Sequence, residues 1–271
     1  MAELYGSDAY SPAEIARRIE AVGEAKARMA WLPLALLGVL AGVFIGLGAM
    51  LFVLVKSDPT LGFAASAVLG GLVFAVGLFM VVVAGAELFT GNNLIVMAWA
   101  DGRVSTAQVL RNWAIVCVAN FLGAAGLALL VWASGHASLN GGAIGHKVVQ
   151  FAVAKQELPF VTALLRGVLC NVLVCMAVWM AMGGRSVTDK AVAVVQPVMA
   201  FGAAGIAHSN ANMYLMPLAM LLQLDGLTGH AAITWGGMLG NLLPVIFGNV
   251  LGGAVLVAGV YHVIYKRQPP N

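Results

Sequence analysis

Two polar stretches interrupt long apolar runs: Glu87-Leu88-Phe89-Thr90-Gly91-Asn92-Asn93 and His208-Ser209-Asn210-Ala211-Asn212. Between Asp58 and Asp101 the one formal charge is Glu87; between Lys190 and Asp225 there is none, with His208 midway. Runs this long and apolar must cross or fill a membrane, where polar groups at mid-depth are costly. One break in each half of a chain is the pattern of a transport site built from discontinuous helices.

The rest of the chain agrees. Of its 271 residues 61% are hydrophobic and 9% charged, and the mean hydropathy is +0.94. That composition excludes a soluble domain of this size and reads as an all-α polytopic membrane protein. An outer-membrane barrel would show short alternating segments instead. Six spans are expected: 31–56, 62–100 broken near Thr90, 110–134, 159–184, 190–223 broken near His208, and 238–265. Unbroken, the fifth run would measure roughly 50 Å against a hydrocarbon core of roughly 30 Å. The chain reads as one domain, 1–271, with an N-terminal segment 1–29 and a six-helix pore over 30–266. Ser11-Pro12-Ala13-Glu14 is a helix start, so 11–29 is expected as an amphipathic helix lying on the membrane surface. It is not a signal peptide, because acidic and basic residues mix there and the apolar run from Trp31 is too long for a cleaved segment.

With the N-terminus inside, Arg17, Arg18, Lys26, Arg28, Arg103, Arg111, Arg185, Lys190, Lys266 and Arg267 are cytoplasmic, ten of the 14 Lys and Arg. This satisfies the positive-inside rule and makes both termini cytoplasmic. Cys117, Cys170 and Cys175 fall in apolar spans and read as packing residues. No cofactor, metal site or nucleic-acid surface is implied.

The halves repeat weakly. Gly38-Val39-Leu40 matches Gly167-Val168-Leu169, the break at Thr90 matches that at His208, and Asn120-Phe-Leu-Gly-Ala matches Asn249-Val-Leu-Gly-Gly. Three spans per copy is an odd number, so the second copy is inverted and the site lies between helices 2 and 5.

His208 is the sharpest candidate for chemistry. The competing reading, a satisfied core histidine, is set against its position in a helix break, where it can donate to an anion or exchange a proton with it. Thr90 holds the corresponding place and can hydrogen-bond across to it; the alternative is a threonine bonding its own backbone. A bare carboxylate at Glu87 is expensive, so it is expected to be protonated or paired with freed backbone amides and to clamp the loop. Lys155 is either an outer-vestibule cation that concentrates anions or a snorkelling lysine. Asn171 is polar in an apolar span. Leu78, Leu88, Phe89, Val174 and Phe201 are, by sequence, ordinary packing residues.

The combination of Glu-Leu-Phe-Thr-Gly-Asn at 87–92, Arg111-Asn-Trp, Asn120-Phe-Leu-Gly, the Leu169–Met180 stretch, His208-Ser-Asn-Ala-Asn-Met and Gly248-Asn-Val-Leu-Gly-Gly resembles the formate/nitrite transporter family across all six segments. The resemblance implies an aquaporin-like fold of six helices in two inverted three-helix repeats, a homopentamer in membrane lipid, and a pore in each protomer. It implies no enzyme, but a passive or proton-linked channel for small weak-acid anions in the bacterial inner membrane, with formate or nitrite foremost and hydrosulfide as the alternative. It maps the substrate pathway onto His208, Thr90, Asn171 and Lys155. Constrictions fall on Leu78, Leu88, Phe89, Val174 and Phe201, and loop support on Glu87, Asn210 and Asn212. Many members carry glutamate before the central histidine, where this chain has Ala207. Rival readings are a neutral-solute channel, which the missing Asn-Pro-Ala pairs disfavour, and a membrane-embedded enzyme, for which one histidine and one glutamate are too few.

Overall fold

The computed structural model describes residues 8–266. Residues 1–7 of the expected N-terminal segment, and Arg267, counted above among the inner cations, lie outside the described residues. The described chain is helical throughout, with a single isolated bridge between Ala9 and Gly184.

Helix α1 spans Pro12–Arg28. Ser11 caps it: its Oγ accepts from the Glu14 amide at 3.4 Å, while the Glu14 carboxylate accepts from the Ser11 amide at 2.8 Å. The amphipathic pattern suggests a helix lying on a membrane surface; its apolar face is taken up by the protein. Its apolar stripe, Ile15, Ala16, Ile19, Gly23 and Ala27, is buried on the protein itself, against the residues that follow the first break and against helix 7. The reason is pairing: an apolar face next to Glu20 and Lys26 finds both its hydrophobic cover and its counter-charges, Arg103 and Glu87, on the same protein surface.

Helix α2 is Trp31–Lys56. Helix α3, Phe63–Met80, runs into a π-turn at Val81–Gly85, and the chain then uncoils before a 3-10 turn, Gly91–Ile95, and the short α4, Val96–Ala100. Helix α5 is Thr106–Ala133, α6 Ala143–Gln156, α7 Phe160–Gly183, α8 Val187–Ala203, α9 Ser209–Leu224 and α10 Trp235–Val250. A π-helical stretch, Leu251–Gly259, carries α10 into α11, Val260–Lys266. Among the described residues five segments are long and apolar enough to cross a membrane. The expected fifth run is two shorter helices, α8 of 17 residues and α9 of 16. At 1.5 Å per residue each reaches about 25 Å, short of the hydrocarbon core. The hydropathy pattern marks nothing over 135–158, where Lys147, Lys155 and Glu157 interrupt it, yet α6 forms there and packs on α9.

Several helix pairs approach at backbone distance, among them α2 with α5 and α10 with α7. A Cβ on Gly123 would collide with the Val39 carbonyl, and one on Gly248 with the Leu164 carbonyl. In lipid no hydrophobic force drives helices together, so close van der Waals contact between small residues has to do it. Gly123→Ala is therefore expected to lower the thermal unfolding midpoint in detergent, by overpacking worth about 1–3 kcal/mol. Gly126→Ala on the same helix meets open space and should leave the midpoint unchanged or slightly raised.

Candidate functional site

Both breaks begin on a glycine that no other residue replaces cheaply. Gly85 (φ +82°) closes the π-turn, and Gly205 (φ +65°) ends α8, with the Ile206 amide donating back to the Phe201 carbonyl at 3.3 Å. Each break then exposes backbone amides and carbonyls at a depth where water cannot satisfy them.

Buried asparagines satisfy them. In the first break the Phe89 amide donates to Asn120 Oδ1 (2.9 Å), and Asn120 Nδ2 donates to the carbonyls of Gly38 (2.7 Å) and Glu87 (2.9 Å). In the second the Ser209 amide donates to Asn249 Oδ1 (3.3 Å), and Asn249 Nδ2 donates to the Gly167 carbonyl (2.8 Å). One tier outward, Asn92 donates to Asn112 Oδ1 (2.9 Å) and Asn112 to the Lys26 carbonyl (3.0 Å). Correspondingly Asn212 donates to Asn241 Oδ1 (2.7 Å) and Asn241 to the Lys155 carbonyl (2.8 Å).

Gly38 with Gly167, Asn120 with Asn249, Asn112 with Asn241, and Lys26 with Lys155 are each 129 positions apart. Within the breaks, Gly85 with Gly205, Phe89 with Ser209 and Asn92 with Asn212 are each 120 apart. This register corrects the expected pairing of the two breaks. Thr90 corresponds to Asn210, and His208 to Leu88. The shift arises because the asparagine clamps fix the amide at Phe89 and at Ser209, not the polar side chains beside them.

The first break carries an ion pair that the sequence alone does not reveal. Lys26 Nζ sits 2.9 Å from Glu87 Oε1 and donates to Asn92 Oδ1 at 3.0 Å; Asn92 Nδ2 donates to Glu87 Oε2 at 2.7 Å. Glu87 is thus paired with a lysine and a side-chain amide in place of the expected freed backbone amides. Only the recurrence of Asn at a fixed spacing in apolar helices could have flagged Asn112 and Asn241, and nothing in the sequence flagged Lys26.

Two cavities lie at the breaks. The one on the α6 side, about 250 Å³, is lined by Phe74, Lys155, Arg166, Phe201, Ala207 and His208 among others. The one on the α1 side, about 240 Å³, is lined by Lys26, Leu78, Glu87, Leu88, Gly91 and Asn92 among others. Between them His208 Nε2 lies 3.4 Å from Thr90 Oγ1. The imidazole stacks on Phe201 (centroids 5.8 Å, 21°) and meets the edge of Phe74 (6.3 Å). Among the described residues its Nδ1 is buried without a hydrogen-bond partner.

The remaining expected residues fall as follows. Leu78 and Leu88 line the α1-side cavity and Phe201 the other. Phe89 turns away from both and packs edge-on to Trp113 (6.4 Å). Val174 is buried in the core. Asn171 lines neither cavity: its Nδ2 grips the carbonyls of Thr90 (3.2 Å) and Asn249 (2.6 Å), so it braces the Thr90 loop from behind. Asn210 donates to Asn120 Oδ1 at 2.6 Å. Lys155, on α6 outside the spanning helices, loses hydration in its cavity, which pushes its ammonium down to about 8.

The family model described as formate/nitrite transporter matches residues 13–263. The formate channel FocA of Escherichia coli strain K12 is 36% identical, over 96% of this chain and 96% of its own length. The formate channel BtFdhC of Bacillus thuringiensis is 34% identical, over 97% and 98%. A solved structure described as a pentameric formate channel with formate bound superposes with a TM-score of 0.81 at 33% identity, covering 88% of this chain and 98% of that one. Another, an FNT family ion channel, gives 0.82 at 30% identity, over 94% and 99%.

Asn120→Ala is expected to be among the most damaging single changes. It strands the Phe89 amide, the Asn210 amide group and the Glu87 carbonyl, each orphaned buried group costing about 1–3 kcal/mol, and unties the break from α2 at Gly38. Thermal unfolding in detergent should show a larger loss than for Asn249→Ala, whose longest contact is weaker.

Proposed function

We propose that this chain, which belongs to the formate/nitrite transporter family, passes small monovalent weak-acid anions through a pore inside each protomer, formate foremost, with nitrite and hydrosulfide alternatives of the same chemistry. It is a multi-pass membrane protein and not an enzyme, as its channel relatives are. The observation that carries the reading is the buried Thr90–His208 contact between two cavities, with an imidazole nitrogen left unpartnered. A polar group without a partner at that depth is costly, and a passing solute able to hydrogen-bond offsets the cost.

In the proposed mechanism Lys155 draws the anion into the α6-side cavity. Beyond it, Phe201 and Phe74 on one side and Leu88 and Leu78 on the other strip away water. Desolvation disfavours the charged form, so the anion takes up a proton and crosses the apolar barrier as the neutral acid. His208 and Thr90 supply hydrogen bonds at the midpoint. Asn171, Asn210, Asn212 and Glu87 hold the two breaks in position.

The repeated clamps at constant spacing support six spans in two inverted three-helix repeats. The α6 face is proposed as the outer one, with both termini on the cytoplasmic side of a bacterial inner membrane, since Lys and Arg gather around α1. A homopentamer is proposed by likeness to the pentameric formate channel. Exposed apolar faces, Leu122 and Leu130 on α5 and Leu165 and Leu169 on α7, are surfaces that lipid or a second copy would cover.

Formate uptake into proteoliposomes should rise as external pH falls from 9 to 7. Below about 8 Lys155 keeps the charge that gathers anions; above it the charge is lost. Protonation of the anion adds to the effect in the same direction. His208→Phe should cut uptake by about tenfold or more, the equivalent of one lost hydrogen bond to a charged or developing group, with the oligomer unchanged by size-exclusion chromatography. Uptake that is unaltered in His208→Phe, or flat from pH 5 to 9, would remove the proposed site or the proton step.

A further inference from the structure

The paired clamps set each mouth of the pore against its counterpart, and the mouths differ in charge. On the α1 side Lys26, whose carbonyl is held by Asn112, lies 2.9 Å from Glu87. On the α6 side the lysine in the corresponding place is Lys155, whose carbonyl is held by Asn241. The residue corresponding to Glu87, 120 positions on, is Ala207. Ala207 lines the same cavity as Lys155 and is 2% exposed. Among the described residues Lys155 has no carboxylate within ion-pair distance. The charged groups lining the α1-side cavity, Lys26 and Glu87, cancel. Those lining the α6-side cavity, Lys155 and Arg166, are both cationic.

We infer that Ala207 determines the strength of anion capture in this protein. By withholding the carboxylate that its counterpart supplies, it leaves Lys155 uncompensated and makes the α6-side vestibule an anion trap, while the α1-side mouth stays neutral. This rests on the anion-pore reading above. In a cavity with low-dielectric walls an uncompensated cation raises the local anion concentration on the order of tenfold, and the gain shrinks as salt screens it. The unequal mouths load anions from the α6 side at lower bulk concentration than from the α1 side.

The test compares wild type, Ala207→Glu, Ala207→Gln and Ala207→Glu with Lys155→Met in proteoliposomes, reading the formate concentration at half-maximal flux at low and high ionic strength. Ala207→Glu should raise that concentration on the order of tenfold at low salt, and the difference from wild type should close at high salt. Ala207→Gln, of nearly the same size and uncharged, should stay within about twofold of wild type, because it adds bulk without charge. Placing Lys155→Met beneath Ala207→Glu should weaken capture further, since the carboxylate is then unpaired. Equal effects of Glu and Gln would make position 207 a matter of space and overturn the inference. So would a Glu variant indistinguishable from wild type. Wild-type vesicles that pass no formate, nitrite or hydrosulfide would instead sink the anion-pore reading itself, and the inference with it.

Discussion

The structure depends on one constraint: a helix that breaks inside an apolar slab must have its freed amides and carbonyls satisfied by the protein. Asn120 and Asn249 meet it. Each is a side chain with one acceptor oxygen and two donor hydrogens: the oxygen takes a freed amide of the break, and the amide group ties that break to a carbonyl of a neighbouring helix. Once the breaks are held, the rest follows. The half-helices α8 and α9 can stop and start at the second break, His208 can sit just ahead of α9 as its N-cap, and a cavity can form at each break. Close packing of α2 on α5 and of α7 on α10 brings the asparagines within reach, which is why glycines line those contacts.

Much of this was legible in the sequence. Long uncharged runs located the helices, and the polar residues at 87–93 and 208–212 located the breaks. The matches of Gly38 with Gly167 and of Asn120 with Asn249 proved to be two ends of the same hydrogen bonds. What escaped was set by direction in space. Hydropathy could not say that α1 turns its apolar stripe to the protein, because a membrane surface and a protein groove look alike to a residue scale. It could not say that Phe89 faces Trp113 while its neighbour Leu88 faces the cavity. Nor could spacing along one helix reveal the Lys26–Glu87 pair, whose members lie on separate elements. α6 was hidden because its charged residues, which mark it as non-spanning, also dilute the periodic signal.

The register between halves carries more information than the resemblance of single motifs. It separates the asparagine and glycine clamps that recur at constant spacing from positions whose counterpart is a different residue. His208 answers to Leu88, Glu87 to Ala207, and Thr90 to Asn210. His208 and Thr90, unmatched in this sense, are the pair that meets between the two breaks.

The clamps also have a bearing on how the protein is made. The first break is complete in the chain by Asn93, but its carbonyl at Thr90 is gripped by Asn171, and Asn120 takes its remaining partner from Asn210. A ribosome delivers those partners late, on α7 and α9. Until then the loop carries unsatisfied polar groups in the lipid or in the insertion machinery. Maturation of the first half therefore waits on synthesis of the second, and a chain truncated before α9 would be left with an unfinished seam for quality control to recognise.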